Sequence, residues 1–303
     1  MTVTSERPIA VGIMAYNEAA NIGRTLRSIQ EQTIAARINR IIVVASGCTD
    51  ETCAIVTRIA AADPRVILVE ESVRAGKTVA INTFLSAIHE PIAVIPSADL
   101  ILEPETLEHL IAPLDDPRVG MVGAHPIPTN DPKTFIGFAV QLMWELHHRI
   151  ASHEPKMGEL VAFRNQLESL DPAVLSDELS VENQIRAAGL RIEYAPAARV
   201  YNRGPETLSE FVVQRVRWCV ANMQTARDFE TSVSTLSVRN VLRAVRQLVV
   251  QTRPRPDWLV AAAMLEAWCR LRAYGSFKIM GHAEKYRVWE PLRSTKTVVR
   301  KES

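Results

Sequence analysis

The sequence predicts an α/β protein with a mostly parallel sheet flanked by helices, followed by a helical C-terminal extension. Between Ile9 and Leu114, four short runs rich in Ile and Val alternate with segments of helical periodicity, which is typical of βαβ units. Polar residues follow each of these runs, at the strand ends where such sheets bind ligands. A content of 47% hydrophobic and 23% charged residues allows a large core and excludes a disordered or fibrous protein.

The first half of the chain contains four predicted pairs of a strand and a helix. The apolar run Ile9–Met14 predicts a buried strand, and Asn17 is a suitable N-cap for a helix with Ile22, Leu26 and Ile29 on its apolar face. The other three pairs are the strand Ile41–Val44 with a helix from about Asp50, the strand Val66–Val69 with the helix Lys77–Ile88, and the strand Ile92–Ile95 with the helix Glu105–Leu114.

In the second half of the chain, the predicted strands and helices do not alternate as regularly as in the first half. Three helices are predicted, and the second of them ends at Gly189, a suitable C-cap. They are Phe135–His148, Ser176–Ala188 and about Glu206–Phe229. Short strands are predicted at Leu160–Phe163, Ile192–Tyr194 and Arg199–Tyr201. The two prolines in the segment from Arg253 to Pro256 predict a break between helices in the extension.

Charge and cysteine content narrow the class of protein. From residue 239 onward there are 14 Lys and Arg against 5 Asp and Glu, whereas the preceding part has 21 against 29. A basic tail of this kind indicates contact with a polyanion or an anionic membrane surface, or else a solvated helical surface. Four cysteines without a C-x-x-C pair favour a reducing, cytoplasmic setting. We expect no membrane-spanning helix, because the C-terminal apolar run stops at Glu266, well short of about 20 residues. We also expect no signal peptide, because Glu6 precedes the N-terminal apolar run and Glu18 follows it closely.

The polar residues after the four strands predict a nucleotide site. They are Tyr16, Asn17 and Glu18 after the first strand, Ser46–Asp50 after the second, Arg74 and Lys77 after the third, and Ser97, Ala98 and Asp99 after the fourth. Parallel strands end at the same edge of a sheet, so these groups are expected to line one crevice. Cations beside a carboxylate suit a nucleoside diphosphate with a divalent metal.

Seven motifs occur in the order in which they occur in family 2 glycosyltransferases of the GT-A fold, and the chain resembles that family from Ile9 to about Trp218. The motifs are Val11–Glu18, Val43–Thr52, Arg74–Lys77, Ser97–Asp99, Gly158–Arg164, the acidic pair Asp177 and Glu178, and Gln214–Trp218. The resemblance implies an inverting hexosyltransferase that uses a nucleotide-sugar donor. It also implies a catalytic domain over residues 1–230, with a nucleotide-binding half at about 1–125, an acceptor-binding half at about 126–230, and an extension at 231–303.

The resemblance assigns roles to individual residues. Tyr16, Asn17, Glu18, Ser46, Arg74, Lys77, Ser97, Ala98 and Asp99 would bind the nucleotide sugar, with Asp99 also holding Mg²⁺ or Mn²⁺. Glu159, Gln214, Arg215, Arg217 and Trp218 would contact the diphosphate or the acceptor. A guanidinium group matches phosphate oxygens, which favours the two arginines for this role. An attacking hydroxyl needs a base within hydrogen-bonding distance, and we expect Glu178 as the base, with Asp177 as the alternative.

Three positions depart from the pattern of the family. Ser46 replaces the aspartate that reads uracil, so a UDP donor does not follow from the resemblance. Ser97 replaces the first acid of the metal motif, and the acidic pair has the order Asp-Glu instead of Glu-Asp. The replacements also leave open a non-catalytic scaffold that binds nucleotide or membrane, although the retained Asp99 and Glu178 favour an enzyme.

The acceptor is expected to be a glycan or a polyprenyl-phosphate-type lipid, with a soluble small molecule as the alternative and no nucleic acid as partner. The extension combines Trp258, Leu259, Met264, Leu265 and Trp268 with Arg253, Arg255, Arg270 and Arg272. Such a composition predicts peripheral docking on the inner face of the cell membrane. The alternative is that these aromatic side chains pack back onto the catalytic domain.

Overall fold

The computed structural model describes residues 7–167, 169–174, 176–228, 234, 237–252, 254–279 and 294–296. Arg253 and the predicted domain boundary at residues 230 and 231 lie outside these residues. The strands are β1 (Ile9–Ala15), β2 (Ile38–Ser46), β3 (Val66–Glu71), β4 (Ile92–Pro96), β5 (Ile101–Leu102), β6 (Val119–Pro128), β7 (Leu160–Arg164) and β8 (Arg191–Asn202). The helices are α1 (Ile22–Gln30), α2 (Thr52–Ala60), α3 (Lys77–Ser86), α4 (Thr106–Ile111), α5 (Phe135–Ala151), α6 (Asp177–Ala187), α7 (Leu208–Asp228), α8 (Val238–Thr252) and α9 (Pro256–Tyr274).

The strands form a mixed sheet in the order β3-β2-β1-β4-β7-β6-β8-β5. Strands β1 to β4 are parallel to one another, and β6 pairs with β8 in parallel. The strand β7 lies antiparallel between β4 and β6, and β5 is antiparallel to β8. The predicted mostly parallel sheet is therefore confirmed, and β7 is the strand that links β4 to β6.

Helices cover both faces of the sheet, as the sequence predicts. On one face, α1, α2 and α4 contribute Leu26, Val56 and Leu107 to a core with inward side chains of the strands. On the other face, α3 and α6 contribute Phe84 and Ile185 to a second core. Gly12 permits the close approach of α3, since a Cβ atom there would lie 2.5 Å from the Phe84 ring.

Three features of the sheet differ from the prediction, and the first is the two-residue strand β5, which was not predicted. The strand β6 is absent from the predicted set, because its two glycines and two prolines interrupt the β-branched pattern used to recognise strands. The predicted strands Ile192–Tyr194 and Arg199–Tyr201 are parts of the single strand β8, which continues through Pro196 with a register shift against β6.

The C-terminal helices pack on the catalytic domain. Buried Cys269 and Ala273 of α9 join a third core with α5 and α7. Trp258 lies edge-on to Phe135 and Phe138 of α5, and Leu265 packs against the same core. The predicted membrane-facing role of Trp258 and Leu265 is therefore wrong, because they occupy the inward face of α9.

The outward face of α9 is also apolar. Five side chains spaced three or four residues apart are each more than half exposed, so they share one face of the helix. They are Val260, Met264, Trp268, Leu271 and Tyr274, and we call them the α9 stripe. In the described part of the chain, no helix is long and apolar enough to cross a bilayer.

Candidate active site

The loops that follow β1, β2 and β4 meet at one edge of the sheet. Met14, near the end of β1, forms a parallel bridge with Ser97, directly after β4. On its other side, Ala15 pairs with Ala45 near the end of β2. The register of the sheet thus aligns the three polar loops that were predicted to form the nucleotide site.

Hydrogen bonds hold the β1 and β2 loops together. The Asn17 backbone is left-handed at φ 51°, and its side-chain oxygen accepts a hydrogen bond from the Thr49 backbone N–H at 2.8 Å. The Glu18 backbone N–H donates to the Thr52 hydroxyl at 2.8 Å, and the Glu18 carboxylate accepts from the Asn21 amide at 3.0 Å. Asn17 and Glu18 therefore organise these loops, whatever else they bind.

A cationic corner forms beside these loops. The Arg74 guanidinium lies 3.6 Å from the centroid of the Tyr16 ring, and Gly47 allows this approach because a Cβ atom there would lie 2.9 Å from the Arg74 nitrogen. Arg217 of α7 is buried nearby, and burial together with the charge of Arg74 lowers the pKa of Arg217 to about 10. The structure thus brings Arg74 and Arg217 together, where an anion would be favoured.

Asp99 lies half-buried beyond the end of β4. The preceding residue, Ala98, is fixed by a hydrogen bond of 2.9 Å from the Thr25 hydroxyl to its carbonyl oxygen. Among the described residues, no three histidine, cysteine or acidic side chains are grouped so as to hold a metal ion. Asp99 is the carboxylate that the sequence predicts for Mg²⁺ or Mn²⁺, and such a site would also need phosphate oxygens and water as ligands.

Glu159 lies next to Ser97, where the family pattern has an acid. The Ser97 backbone N–H donates to the Glu159 carbonyl oxygen at 2.8 Å, and the Glu159 backbone is left-handed at φ 23°. Burial raises the pKa of the Glu159 carboxyl, while hydrogen bonds from Ser97 and Asn202 act in the opposite direction. Glu159 thus places a carboxyl group beside the serine that replaces the first acid of the motif.

The predicted catalytic acids lie at the N-terminus of α6, paired with Lys77. The Lys77 Nζ atom is 2.8 Å from Asp177 and 3.4 Å from Glu178. Burial opposes the charge of Lys77, yet the two carboxylates raise its pKa. Lys77 was predicted to bind the nucleotide sugar. In the structure its ammonium group forms ion pairs with Asp177 and Glu178. These three side chains and Glu159 line one small pocket between α3, α6 and the sheet.

The two acids differ in their electrostatic surroundings. Burial and the neighbouring Glu178 raise the pKa of Asp177, and Lys77 only partly offsets them. Burial also acts to raise the pKa of Glu178, but Lys77 and Lys156 outweigh it and lower the pKa. Of the two carboxyls, Glu178 is therefore the one whose surroundings favour the ionised form.

The sequence analysis missed Lys156, His125 and Tyr194, whereas the adjacent histidines His147 and His148 were expected to line the acceptor cleft or the surface and not to bind a metal. Lys156 is buried, and none of the seven motifs includes it. His125 stacks on His148 with ring centroids 4.0 Å apart, and the His148 Nδ1 atom lies 2.9 Å from the Tyr194 hydroxyl. Burial lowers the pKa of His125 to about 4 and that of His147 to about 3, so these rings are neutral at physiological pH. Their neutrality and stacking indicate packing behind the site.

The motif Gln214–Trp218 divides between two environments on α7. Arg217 faces the cationic corner, whereas Arg215 makes two hydrogen bonds of 2.8 and 2.7 Å to Glu266 of α9. The Arg215 guanidinium also lies over the Trp218 ring at 4.2 Å. The structure therefore places Arg215 and Trp218 in the contact between α7 and α9, and the predicted phosphate role of Arg215 does not fit this pairing. Gln214 is half-buried on the same helix.

Comparison with known proteins places this arrangement in a family. A family model described as glycosyltransferase like family 2 matches residues 7–221. A curated relative, the poly-beta-1,6-N-acetyl-D-glucosamine synthase of Staphylococcus aureus strain COL, is 23% identical over 240 residues. The match covers 74% of this chain and 57% of the relative, so the chain spans little more than half the length of that synthase.

Solved structures show the same fold. A mannosyltransferase from Pyrobaculum calidifontis, in complex with GDP-Man and Mn²⁺, matches with a TM-score of 0.60 and 24% identity, covering 94% of this chain and 86% of its own. A glucosyl-3-phosphoglycerate synthase from Mycobacterium tuberculosis, in complex with Mn²⁺, UDP and phosphoglyceric acid, matches with a TM-score of 0.51 and 18% identity. That match covers 72% of this chain and 78% of the synthase.

Proposed function

The chain belongs to the glycosyltransferase like family 2, and from this membership we propose that it transfers a sugar from a nucleoside diphosphate to a hydroxyl acceptor with inversion. The observation that carries the proposal is the separation of charge in the cleft. Arg74 and Arg217 form a cationic corner beside the nucleotide loops, and Asp177 and Glu178 lie at the N-terminus of α6. A departing diphosphate needs the cations, and an attacking hydroxyl needs a carboxylate.

The proposed reaction is a single displacement. The acceptor oxygen attacks the anomeric carbon, and the bond from that carbon to the diphosphate oxygen breaks. Glu178 takes the acceptor proton, because its carboxyl is the one whose pKa is lowered. The diphosphate leaves with the bonding electrons, and Arg217 and Arg74 stabilise its charge. Attack opposite to the leaving group inverts the configuration of the anomeric carbon.

A divalent metal fits the donor side of the cleft. When bound, Mg²⁺ or Mn²⁺ would neutralise the diphosphate charge, with Asp99 as its protein ligand. Because Asp99 supplies one carboxylate, we expect the metal to bind together with the nucleotide. The Mn²⁺ complexes of the two structural neighbours support this expectation.

The nucleotide base remains to be identified, and a binding screen tests donor and metal together. The Ser46 hydroxyl donates to the Val73 carbonyl oxygen at 3.4 Å, so it offers no carboxylate to a base. Unfolding temperatures are measured with UDP, GDP and dTDP, each with and without Mn²⁺, because a ligand of the native state raises them. Stabilisation by one diphosphate with Mn²⁺, followed by turnover of its sugar derivatives, is the expected result. Binding without turnover of any donor would instead indicate a scaffold.

We also propose that the α9 stripe docks on an anionic membrane and brings the cleft to a membrane-held acceptor, such as a lipid-linked glycan. Trp268 and Tyr274 have the amphipathic character of side chains at a bilayer interface. The preceding helix α8 carries Arg239, Arg243 and Arg246 and contains no acidic residue. Where these arginines approach the same lipid surface as the stripe, anionic lipid would attract them, whereas two copies of the chain would repel each other there.

Co-sedimentation with vesicles tests this docking. The protein is expected to bind phosphatidylglycerol vesicles at low salt, and to bind less as salt rises or when Trp268 and Leu271 are both changed to Ser. A Val213→Ser variant is a matched control, since Val213 is exposed on α7 outside the stripe. Equal binding by both variants, or a dimer in light scattering that the Trp268 and Leu271 changes abolish, would contradict membrane docking.

A further inference from the structure

Glu71 is the last residue of β3 and places a carboxylate beside Ser46, at the edge of the sheet where the nucleotide is expected to bind. Ser46 and Glu71 are register partners in the parallel strands β2 and β3, so their side chains leave the same face of the sheet. The Gly47 backbone N–H donates to the Glu71 carbonyl oxygen at 2.8 Å, which continues the pairing to the strand ends. Ser46 carries no carboxylate, and Glu71 brings one next to it.

The two oxygens of this carboxylate have different surroundings. The Thr83 hydroxyl of α3 donates to Glu71 Oε1 at 2.7 Å, which orients the carboxylate toward α3. Glu71 Oε2 is buried and has no hydrogen-bond partner among the described residues. A buried acceptor without a donor costs free energy, and a ligand that supplies an N–H group there would remove this cost.

The position of Glu71 in the sheet suits the base of the donor. The order β3-β2-β1-β4 places β3 three strands away from β4. Neighbouring strands lie about 4.8 Å apart, so the end of β3 is about 14 Å from the end of β4. Asp99 follows β4, at the proposed metal end of the donor. Because a nucleoside extends away from its diphosphate, phosphates near β1 and β4 leave the base at the ends of β2 and β3.

The segment that follows Glu71 folds back over the end of β2. The Ser46 hydroxyl donates to the Val73 carbonyl oxygen at 3.4 Å, and a Cβ atom at Gly47 would lie 2.9 Å from the Arg74 nitrogen. The bond to Val73 is long, and the Val73 side chain is 70% exposed. Val73 is therefore held weakly enough to give way to a base that enters between Ser46 and Glu71.

We propose that Glu71 reads the base of the nucleotide sugar by accepting a hydrogen bond from a ring N–H group. The inference rests on the proposed function, since it concerns the donor of that reaction. An ionised carboxylate accepts hydrogen bonds and donates none. Guanine, uracil and thymine present a ring N–H on their pairing edge, whereas adenine and cytosine present a ring nitrogen that is itself an acceptor. Glu71 therefore selects a guanine, uracil or thymine nucleotide and excludes the other two bases.

The binding of five nucleoside diphosphates in the presence of Mn²⁺ tests this assignment. GDP, UDP and dTDP carry the ring N–H, whereas CDP and ADP lack it. By calorimetry, we expect the parent protein to bind the best of the first three at least about 10-fold more tightly than CDP or ADP. In Glu71→Gln this ratio should fall about 10-fold, because an amide both donates and accepts. The order among GDP, UDP and dTDP then identifies the base.

Glu70→Gln is the matched control, since it removes the same charge from an exposed side chain on the opposite face of β3, and the ratio should not change. Thr83→Val removes the hydroxyl that orients the carboxylate and should also lower the ratio, which keeps the test open if Glu71→Gln does not fold. Equal binding of all five diphosphates, an unchanged ratio in both Glu71→Gln and Thr83→Val, or an equal fall in Glu70→Gln overturns the inference and leaves the proposed function standing. If none of the five binds, both fail.

Discussion

The ion pair between Arg215 and Glu266 fastens α9 to α7, and the effect of breaking it can be worked out from the structure. Arg215 contacts both carboxylate oxygens, and Arg270 adds a bond of 2.7 Å. Burial opposes the charge of Glu266, yet the two arginines lower its pKa from 4.5 to about 2. Each pKa unit corresponds to about 1.4 kcal/mol, which gives about 3 kcal/mol. With the Glu266 side chain 28% exposed, we reduce this to about 2 kcal/mol.

The change Glu266→Gln should therefore lower the free energy of unfolding by about 2 kcal/mol at pH 7, or the unfolding temperature by about 3 °C for a chain of this length. Because the folded-state pKa of Glu266 is depressed, its contribution is complete above about pH 4.5 and is lost as pH falls toward 2. Urea titrations followed by circular dichroism at a series of pH values measure the difference. The gap between the parent protein and the variant should close over that acidic range.

Asp257→Asn is the matched control on the same helix. Asp257 pairs with Arg255 at 2.6 Å, but the two side chains are 58% and 62% exposed, so water screens the pair and it should contribute little to stability. Equal losses in the Glu266 and Asp257 variants would refute the reasoning, because burial would then have no influence on the strength of the pair. A loss in Glu266→Gln that persists unchanged at pH 2 would refute it as well.

The remaining predictions concern the cleft. Glu178→Gln should lower kcat by at least about 10²-fold, and Asp177→Asn should lower it less; the reverse order in steady-state kinetics would exchange their roles. Asp99→Ala should remove the part of the thermal shift that needs Mn²⁺ and nucleotide together, while an unchanged shift would place the metal elsewhere. Arg217→Lys should raise donor KM about 10-fold through loss of the guanidinium fork, with acceptor KM unchanged; equal changes in both constants would argue against a diphosphate contact.

The sequence predicted β1 to β4 and the helices after them because each of these strands contains a run of Ile, Leu and Val. The runs of β1, β2 and β4 are buried on both faces, whereas β3 at the edge of the sheet is only partly buried. The same criterion missed β6, whose glycines and prolines are accommodated by neighbours such as Met157 over Gly123. Whether the β6 segment forms a strand depends on tertiary contacts, which no local sequence pattern reveals. The resemblance to family 2 and the GT-A fold is confirmed by the family and structural matches.

The sequence predicted which residues line the site better than it predicted which of these residues pair with one another. The motif order brought Tyr16, Arg74 and Asp99 to one edge of the sheet, because parallel strands end together. Lys77 was predicted to meet a diphosphate, but its partners Asp177 and Glu178 come from a helix about 100 residues later. Such a pairing depends on how α6 docks beside α3. Neither periodicity nor motif spacing contains that information.

Positive charge in the cleft serves two different purposes, which explains why the motif cations do not all lie together. The charge of Arg74 is close enough to lower the pKa of Arg217, so both guanidinium groups would favour an anion in this corner. Lys77 is instead neutralised by the acidic pair, so it adds little attraction for a phosphate and holds the carboxylates in place. If a single cation served both regions, its charge could not stabilise the diphosphate and the carboxylate of the base at the same time. Separate cations allow the leaving group and the acceptor proton to be stabilised at the same time.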